Sequence, residues 1–543
     1  MRKMIDSLQF HKKLLLTLLL SFIFIWSLTG VSWNEELVHD GGGATLAQLL
    51  QSLLQPDLSP RILLLAISST GITLAYAVAG MTLAILLAFL FGIFASGVLS
   101  NGKKPAFVSN VFFRGILGFM RAIHELIWAW LFVAAFGLTP YSAIFALAIP
   151  YGGILGKIFA DMLNDVPQKP IEALKAAGAS KLQCLLYGYF PAVRSNMISY
   201  TMYRFECAIR SSAIMSFVGL GGLGYQIQLS LDDLNYSEVW TFMFFLIAIV
   251  VLVDLWSNQL RNSFSDDAAR HYQGMLSLLF AGLLIIGSWL FITVDEKADL
   301  IGLFTEKNLN HAAQFLRGLM GIGEQLPAFA SWENWSVALG LTFDTFMMSI
   351  MAVGFATIAM FLSVIPAARN IANGSLTMSK GWYGRVLFAI VRSIYIFSRA
   401  VPELVWAMII IFIFKPGILP GAIALALHNF GILGKLCAEV IEDIDTKPIR
   451  NLSLSGASRS QLFIYGIIPA VMPKFLTFIL YRWEVIMRTT IIVGFVGAGG
   501  LGQQFKMSMS YFHYSDITLI IFCYLILVFI ADSVSELMRK AAR

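Results

Sequence analysis

The chain has 543 residues, of which 58% are apolar and only 13% charged, and its mean hydropathy is +0.76. That balance excludes a pair of soluble domains and specifies a polytopic membrane protein. The formal charge of +6 does not call for a nucleic-acid partner, because membrane chains gather Lys and Arg in their cytoplasmic loops.

Apolar stretches of spanning length, about 20 residues each, run near 14–31, 62–99, 116–137, 141–160, 190–218 and 237–256. A second set follows near 275–294, 338–366, 386–414, 418–438, 468–496 and 515–535. They predict an all-α membrane fold of about twelve helices in two sets of six. The first stretch follows Arg2, Lys3, Lys12 and Lys13 like a signal peptide, but no A-x-A site comes after it, so an uncleaved helix is expected. Lys103, Lys104 and Arg114, then Lys169, Lys175 and Lys181, and finally Arg539, Lys540 and Arg543 mark the cytoplasmic side. Glu35, Glu36 and Asp40, and Asp232, Asp233 and Glu238, fall opposite, which places both termini inside.

A single offset of 278 residues aligns the halves without a gap from about Arg121 to Asp254. RAIHELIWA pairs with RAVPELVWA, GILGK at 153 with GILGK at 431, Tyr203-Arg204-Phe205-Glu206 with Tyr481-Arg482-Trp483-Glu484, and Asp254 with Asp532. Six spans per copy make this a parallel duplication: repeats at 1–256 and 275–543, joined by a cytoplasmic linker at 257–274.

FVGLGGLGYQ (217–226) and FVGAGGLGQQ (495–504) carry G-x-G-x-x-G spacing, but each follows a membrane-length apolar run instead of a β-strand, so the dinucleotide reading fails. GVLSNGKK (97–104) fails as a P-loop because Lys104 stands where Ser or Thr would hold magnesium. Cys184, Cys207, Cys437 and Cys523 have no paired spacing, and no metal site is expected.

Charges within the spans need a reason, since an Arg or Asp at mid-bilayer costs about 3 kcal/mol. Glu206 and Arg210, Glu484 and Arg488, Arg121 and Glu125, and Arg399 and Glu403 are each spaced i, i+4 and are expected to form structural pairs. Arg204 and Arg482 have no acid three or four residues away. They are candidate ligands for an oxyanion in transit, the alternative being an ion pair with Glu125 or Glu403. Gly219, Gly221 and Gly222, with Gly497, Gly499 and Gly500, are expected to end the fifth span, to let the two halves approach closely and to expose N–H groups along the substrate path. His428 is expected to be a packed polar residue.

EALKAAGASKLQCLLYGYFPA (172–192) lies between the fourth and fifth spans and is too polar at its start for lipid. Glu172, Ala173, Gly178 and Pro191 resemble the E-A-A, Gly and Pro of the loop by which permease subunits of bacterial ABC importers engage their ATPase. Gly456 and Pro469 keep the thirteen-residue interval. With the RAIHELIWA, YR-x-E and FVG-x-GGLG segments, the chain resembles a phosphonate- or phosphite-type ABC permease fused in tandem. The resemblance implies a non-enzymatic subunit of the bacterial cytoplasmic (inner) membrane. It also implies two copies of a separate ATPase subunit that bind ATP and magnesium, no cofactor in this chain, and a periplasmic or extracellular substrate-binding protein. The sequence departs from that pattern at Arg450, where the loop's Glu belongs, and at His124, opposite Pro402; Glu442, Asp443 and Asp445 are candidate replacements for the missing acid. An ion-coupled secondary transporter with six plus six helices is the alternative, but it has no need of the repeated Gly–Pro loop. A membrane enzyme would need a catalytic cluster that the sequence does not offer.

Overall fold

The computed structural model describes residues 2–34, 36–100, 103–265, 271–296, 298–374 and 382–542. Asn101 and Gly102, residues 266–270 of the expected linker, and Arg543 therefore lie outside the described residues. In chain order the principal helices are α1 (Arg2–Ser27), α2 (Pro60–Ser96), α3 (Lys103–Ala122), α4 (Glu125–Phe136), α5 (Pro140–Asn164), α6 (Gln168–Ala176), α7 (Phe190–Met215), α8 (Leu223–Asp232) and α9 (Tyr236–Ser265). There follow α10 (His271–Leu290), α11 (Glu306–Leu319), α12 (Trp332–Ser363), α13 (Trp382–Ala400), α14 (Glu403–Ile411), α15 (Ile418–Glu442), α16 (Thr446–Leu454), α17 (Ile468–Gly494), α18 (Gly500–Ser510) and α19 (Tyr514–Ala542). Among the described residues the isolated antiparallel bridge Val38–Phe414 is the extended pairing.

Among the described residues, eight helices are long and apolar enough to cross a membrane, or up to eleven if each bent pair is one span, and the apolar part of α1, Leu15–Gly30, is shorter. The bent pairs explain the difference from a straight count. In the third span of each half, α3 meets α4 at 88° and α13 meets α14 at 92°. Pro402 makes the second break by capping α14, while in the first His124 caps α4 with Nδ1 accepting the Leu126 N–H at 3.2 Å. Arg121 and Glu125, and Arg399 and Glu403, thus sit on opposite sides of a right-angle corner.

Packing divides the chain into two units, Leu49–Leu316 and Met1–Gln48 with Arg317–Arg543. This differs from the sequence division at 256 and 275, because the helix that leads each repeat packs with the other copy. Within the second-half unit, Leu16 of α1 packs with Leu476 and Leu480, and Phe24 seats its ring on Phe355 at 5.5 Å. Within the first-half unit, Phe280 of α10 meets Trp256 at 5.1 Å. Sequence duplication records ancestry, and apolar contact decides the unit.

GILGK proves to be a packing motif. A Cβ at Gly153 would lie 2.8 Å from Met120 Cβ and 2.9 Å from the Leu117 carbonyl, and one at Gly431 would lie 2.6 Å from the Tyr395 carbonyl. The third span lies directly against the fourth in both halves, at the distance that small residues allow.

Candidate functional site

The candidate coupling loops are built alike. In the first half, Ile171 of α6 is fully buried against the π-helical turn Cys184–Tyr189, where a Cβ at Gly188 would lie 2.6 Å from Ile171 Cδ1. Ile449 of α16 packs likewise over Leu462–Ile467 and Gly466. Each loop then turns at a glycine in the left-handed region, Gly178 at φ +85° and Gly456 at φ +84°, and a Cβ at either would meet nothing within 4 Å of the chain itself. Backbone conformation, not internal crowding, therefore demands glycine there. A Ser-to-Gln capping box follows in each copy: Gln183 Oε1 accepts from the Ser180 N–H at 2.7 Å, and Gln461 Oε1 from the Ser458 N–H at 2.8 Å. Pro191 and Pro469 occupy the first turn of α7 and α17, where no N–H is needed.

Glu172, Ala173 and Arg450 are exposed on these helices. Two of the three acids preceding Arg450 have other work. Glu442 Oε1 takes Arg392 Nη2 at 2.6 Å and the Arg369 N–H at 2.7 Å, while Asp445 caps α16 by accepting from the Lys447 N–H. Asp443 is exposed. Sequence reading missed the aromatic rim: Tyr187 and Tyr465, matched by the 278-residue offset, are 74% and 72% exposed beside exposed Leu186 and Ile464. The repeated S-x-x-Q and the matched tyrosines were the available signals.

In the fifth spans, Arg204 donates from Nη2 to the Tyr200 hydroxyl at 2.6 Å and lies over the Tyr200 and Tyr203 rings. Arg482 donates from Nε to Asn429 Oδ1 at 2.9 Å, and Asn429 is buried on α15. Both guanidinium groups are half-buried. Glu125 accepts from Ser211 and faces His124 Nε2 at 3.3 Å; Glu403 faces His428 Nε2 at 3.5 Å. Glu206 and Arg210 approach to 3.6 Å, whereas Arg488 binds Glu484 at 2.8 Å and Asp532 at 2.7 Å, and Arg539 binds Glu484 at 2.8 Å.

The glycine turns end the fifth-span helices as expected and then do more. Each is a corner leading into a further helix, α8 or α18, and the first corner bends by 48°. Gly219, Gly221 and Gly222, and Gly497, Gly499 and Gly500, all have positive φ. The close approaches at these turns are to each unit's own helices. A Cβ at Gly222 would lie 2.7 Å from Thr73 Oγ1, and one at Gly500 would lie 2.6 Å from Thr345 Oγ1. The same threonines accept the Leu223 and Leu501 N–H groups at 2.9 Å, which occupies one of the donors expected to face an anion.

The family model described as the binding-protein-dependent transport system inner membrane component matches residues 88–266 and 371–543. Similar proteins include the phosphate-import permease protein PhnE of Mycolicibacterium smegmatis, 27% identical over 92% of this chain and 89% of that protein. The phosphite transport system permease protein PtxC of Stutzerimonas stutzeri is 30% identical over 49% of this chain and 88% of its own length. A half-length relative matched by one copy, a full-length relative matched by both, and two family segments in one polypeptide agree with the internal repeat. The chain therefore belongs to the binding-protein-dependent transport permeases, as a multi-pass membrane protein that carries two copies of the permease domain and is not itself catalytic.

Proposed function

We propose that this chain is the membrane-spanning subunit of an ATP-driven importer for a phosphorus oxyanion, phosphonate or a close relative. The observation that supports it most is the pair of glycine-turned loops, each offering an exposed short helix and an exposed tyrosine on a firmly packed base. That is what a docking element for a separate motor subunit needs, and a self-sufficient carrier does not. Two ATPase subunits, one at each loop on the cytoplasmic side, would supply the energy, and a separate binding protein on the opposite face would deliver substrate. The proposed setting is the bacterial cytoplasmic membrane, with both termini inside.

Arg204 and Arg482 are the proposed contacts of the oxyanion along its path, because a guanidinium matches tetrahedral oxygens with two parallel N–H donors. Tyr200 and Asn429 each give one fork an oxygen acceptor, which helps to orient it. The test is reconstitution in proteoliposomes. The purified chain alone should hydrolyse no ATP, and hydrolysis stimulated by phosphonate, phosphite or phosphate should appear only with its ATPase subunits and binding protein. Uptake driven by a proton or sodium gradient without ATP would overturn the reading in favour of a secondary carrier.

A further inference from the structure

Between its first two spans each half carries a short helix, Gly42–Ser52 in the first and α11 in the second. The two differ in length and in sequence, GGATLAQLLQS against EKNLNHAAQFLRGL. Each is nevertheless fastened to the first turns of its own repeat's sixth span, by residues that the 278-residue offset matches. The Leu49 carbonyl accepts from Trp240 Nε1 at 2.7 Å, and the Leu319 carbonyl accepts from the Thr518 hydroxyl at 2.6 Å. A Cβ at Gly318 would lie 2.5 Å from the Tyr514 ring, so the end of α11 sits directly on the start of α19.

Three stripes run along each helix, in the same order around it. In α11, Asn308, Ala312, Phe315 and Leu319 form the face turned to the protein, with Phe315 buried and the others half-buried. One position on in sequence, and so about 100° around the helix, come Leu309, Ala313, Leu316 and, just past the helix end, Met320. All four are exposed, the three larger side chains by 47%, 54% and 59%. One position further on, Asn310, Gln314 and Arg317 make an exposed polar stripe. In the first half, Gly42, Thr45 and Leu49 take the protein side. Leu46, Leu50 and, past the helix end, Leu54 follow at 37%, 53% and 84% exposure, and Gln48 and Gln51 are the exposed polar residues.

A helix that lies between protein and water needs two faces, and these have a third that is apolar and uncovered. Exposed indoles mark the level at which it stands. Trp33, 56% exposed, follows the apolar run of α1, and Trp332, 79% exposed, opens α12, which are the places where tryptophan settles among lipid headgroups. We propose that both helices lie in the bilayer surface on the side opposite the coupling loops. Their leucine stripes rest against lipid about 5–10 Å into the boundary between headgroups and acyl chains. The partner of these stripes is the membrane itself, and a protein arriving from water meets the polar stripe instead.

The test uses the full chain in lipid nanodiscs, without ATPase or binding protein, carrying one added cysteine at a time with a nitroxide label. The native cysteines are buried or half-buried, and a sample with no added cysteine gives their background. Labels on Leu309→Cys, Leu316→Cys and Leu50→Cys should collide more with oxygen, which partitions into lipid, than with a water-borne nickel chelate. Labels on Gln314→Cys and Gln51→Cys should show the reverse order. Ala313→Cys and Leu54→Cys repeat the reading in each helix should another leucine variant fail to fold. Preference for the nickel chelate along the apolar stripe of either helix would overturn the proposal, because that stripe would face water. So would shielding from both reagents, which would mean that protein covers it. Protection that appears only when the binding protein is added would also overturn it, by assigning the stripe to that partner. No readout depends on transport, so failure here would leave the importer reading standing.

Discussion

The fifth span of the first half brings Glu206 within 3.6 Å of Arg210, while the same positions in the second half enter a four-member network in which Glu484, Arg488, Asp532 and Arg539 lie within 2.7–2.8 Å of their partners. The loop glycines Gly178 and Gly456, by contrast, differ by a single degree in φ, and both glycine corners use a threonine to bind a leucine N–H at the same 2.9 Å. Backbone geometry has been held in common, while the glutamate–arginine contact differs in length, 3.6 Å in one copy and 2.8 Å in the other. A turn has few solutions, because φ is restricted to what glycine allows. A buried charge has many, because any partner at the right distance serves.

The largest expected effect concerns a charge that the two halves keep in register but hold differently. If these arginines contact the oxyanion as proposed, Arg204→Gln or Arg482→Gln should cut uptake at least about 100-fold, since each would remove two charge-assisted hydrogen bonds of about 1.5–3 kcal/mol. Thermal stability and basal ATP hydrolysis should stay close to wild type, and lysine should rescue poorly because it lacks the planar fork. If the arginines are structural instead, the single variants should be unstable, and adding Glu125→Gln to Arg204→Gln should restore both stability and uptake.

Next comes the ion network around Arg488. Arg488→Gln takes the shared arginine from Asp532 and Glu484, the latter keeping Arg539, and should cost about 3–5 kcal/mol, measured as detergent unfolding. Arg210→Gln, which starts from a 3.6 Å contact, should cost less. Equal costs would show that the distances do not rank the two networks. Converting Glu484, Arg488, Asp532 and Arg539 together to neutral amides should recover part of the loss, because no charge of the network is left behind.

The loops allow a sharper comparison. Gly178→Leu and Gly456→Leu should strain the turn alike, by about 1–2 kcal/mol for a left-handed residue with a side chain. Uptake should fall further for the first, where Glu172 supplies the expected acid, than for the second, where Arg450 does not. Glu172→Lys should likewise uncouple hydrolysis from uptake more than Arg450→Glu. Matching defects would mean that Arg450 has lost nothing by its departure, and that the tyrosine rim at Tyr187 and Tyr465 carries the docking.

Spans, repeat and family were legible because they rest on composition and on a fixed offset. The two right-angle corners were not. Pro402 hinted at one, but His124 has no breaking power of its own and acts only through a ring nitrogen that accepts from Leu126, a contact that no spacing rule announces. The exchange of α1 and α10 between units was equally invisible, since an apolar helix does not say which apolar surface it will meet. At the candidate site, Gly178 and Gly456 could be read from their interval. The oxygen partners Tyr200 and Asn429 could not, because sequence searching looks for an opposite charge near each arginine and these are neutral.

The smallest predicted effect tests the part that is the same in both halves. Thr73 and Thr345 are separated by 272 residues and Leu223 and Leu501 by 278, so the two halves reach one contact through segments of unequal length. Replacing either threonine with valine keeps the shape and removes the hydroxyl, leaving a buried leucine N–H without its acceptor. The cost should be about 1–2 kcal/mol, within the range for an orphaned buried donor, and it should be equal in the two halves. Uptake separates two roles for the corner. If the turn only joins two helices, both variants should transport normally below their unfolding temperature. If its N–H groups face the oxyanion, freeing Leu223 or Leu501 adds a donor to the path and should lower the apparent KM for substrate. An unequal cost between Thr73→Val and Thr345→Val would show that matching distances do not guarantee matching energies, and would limit the comparison between the halves to geometry alone.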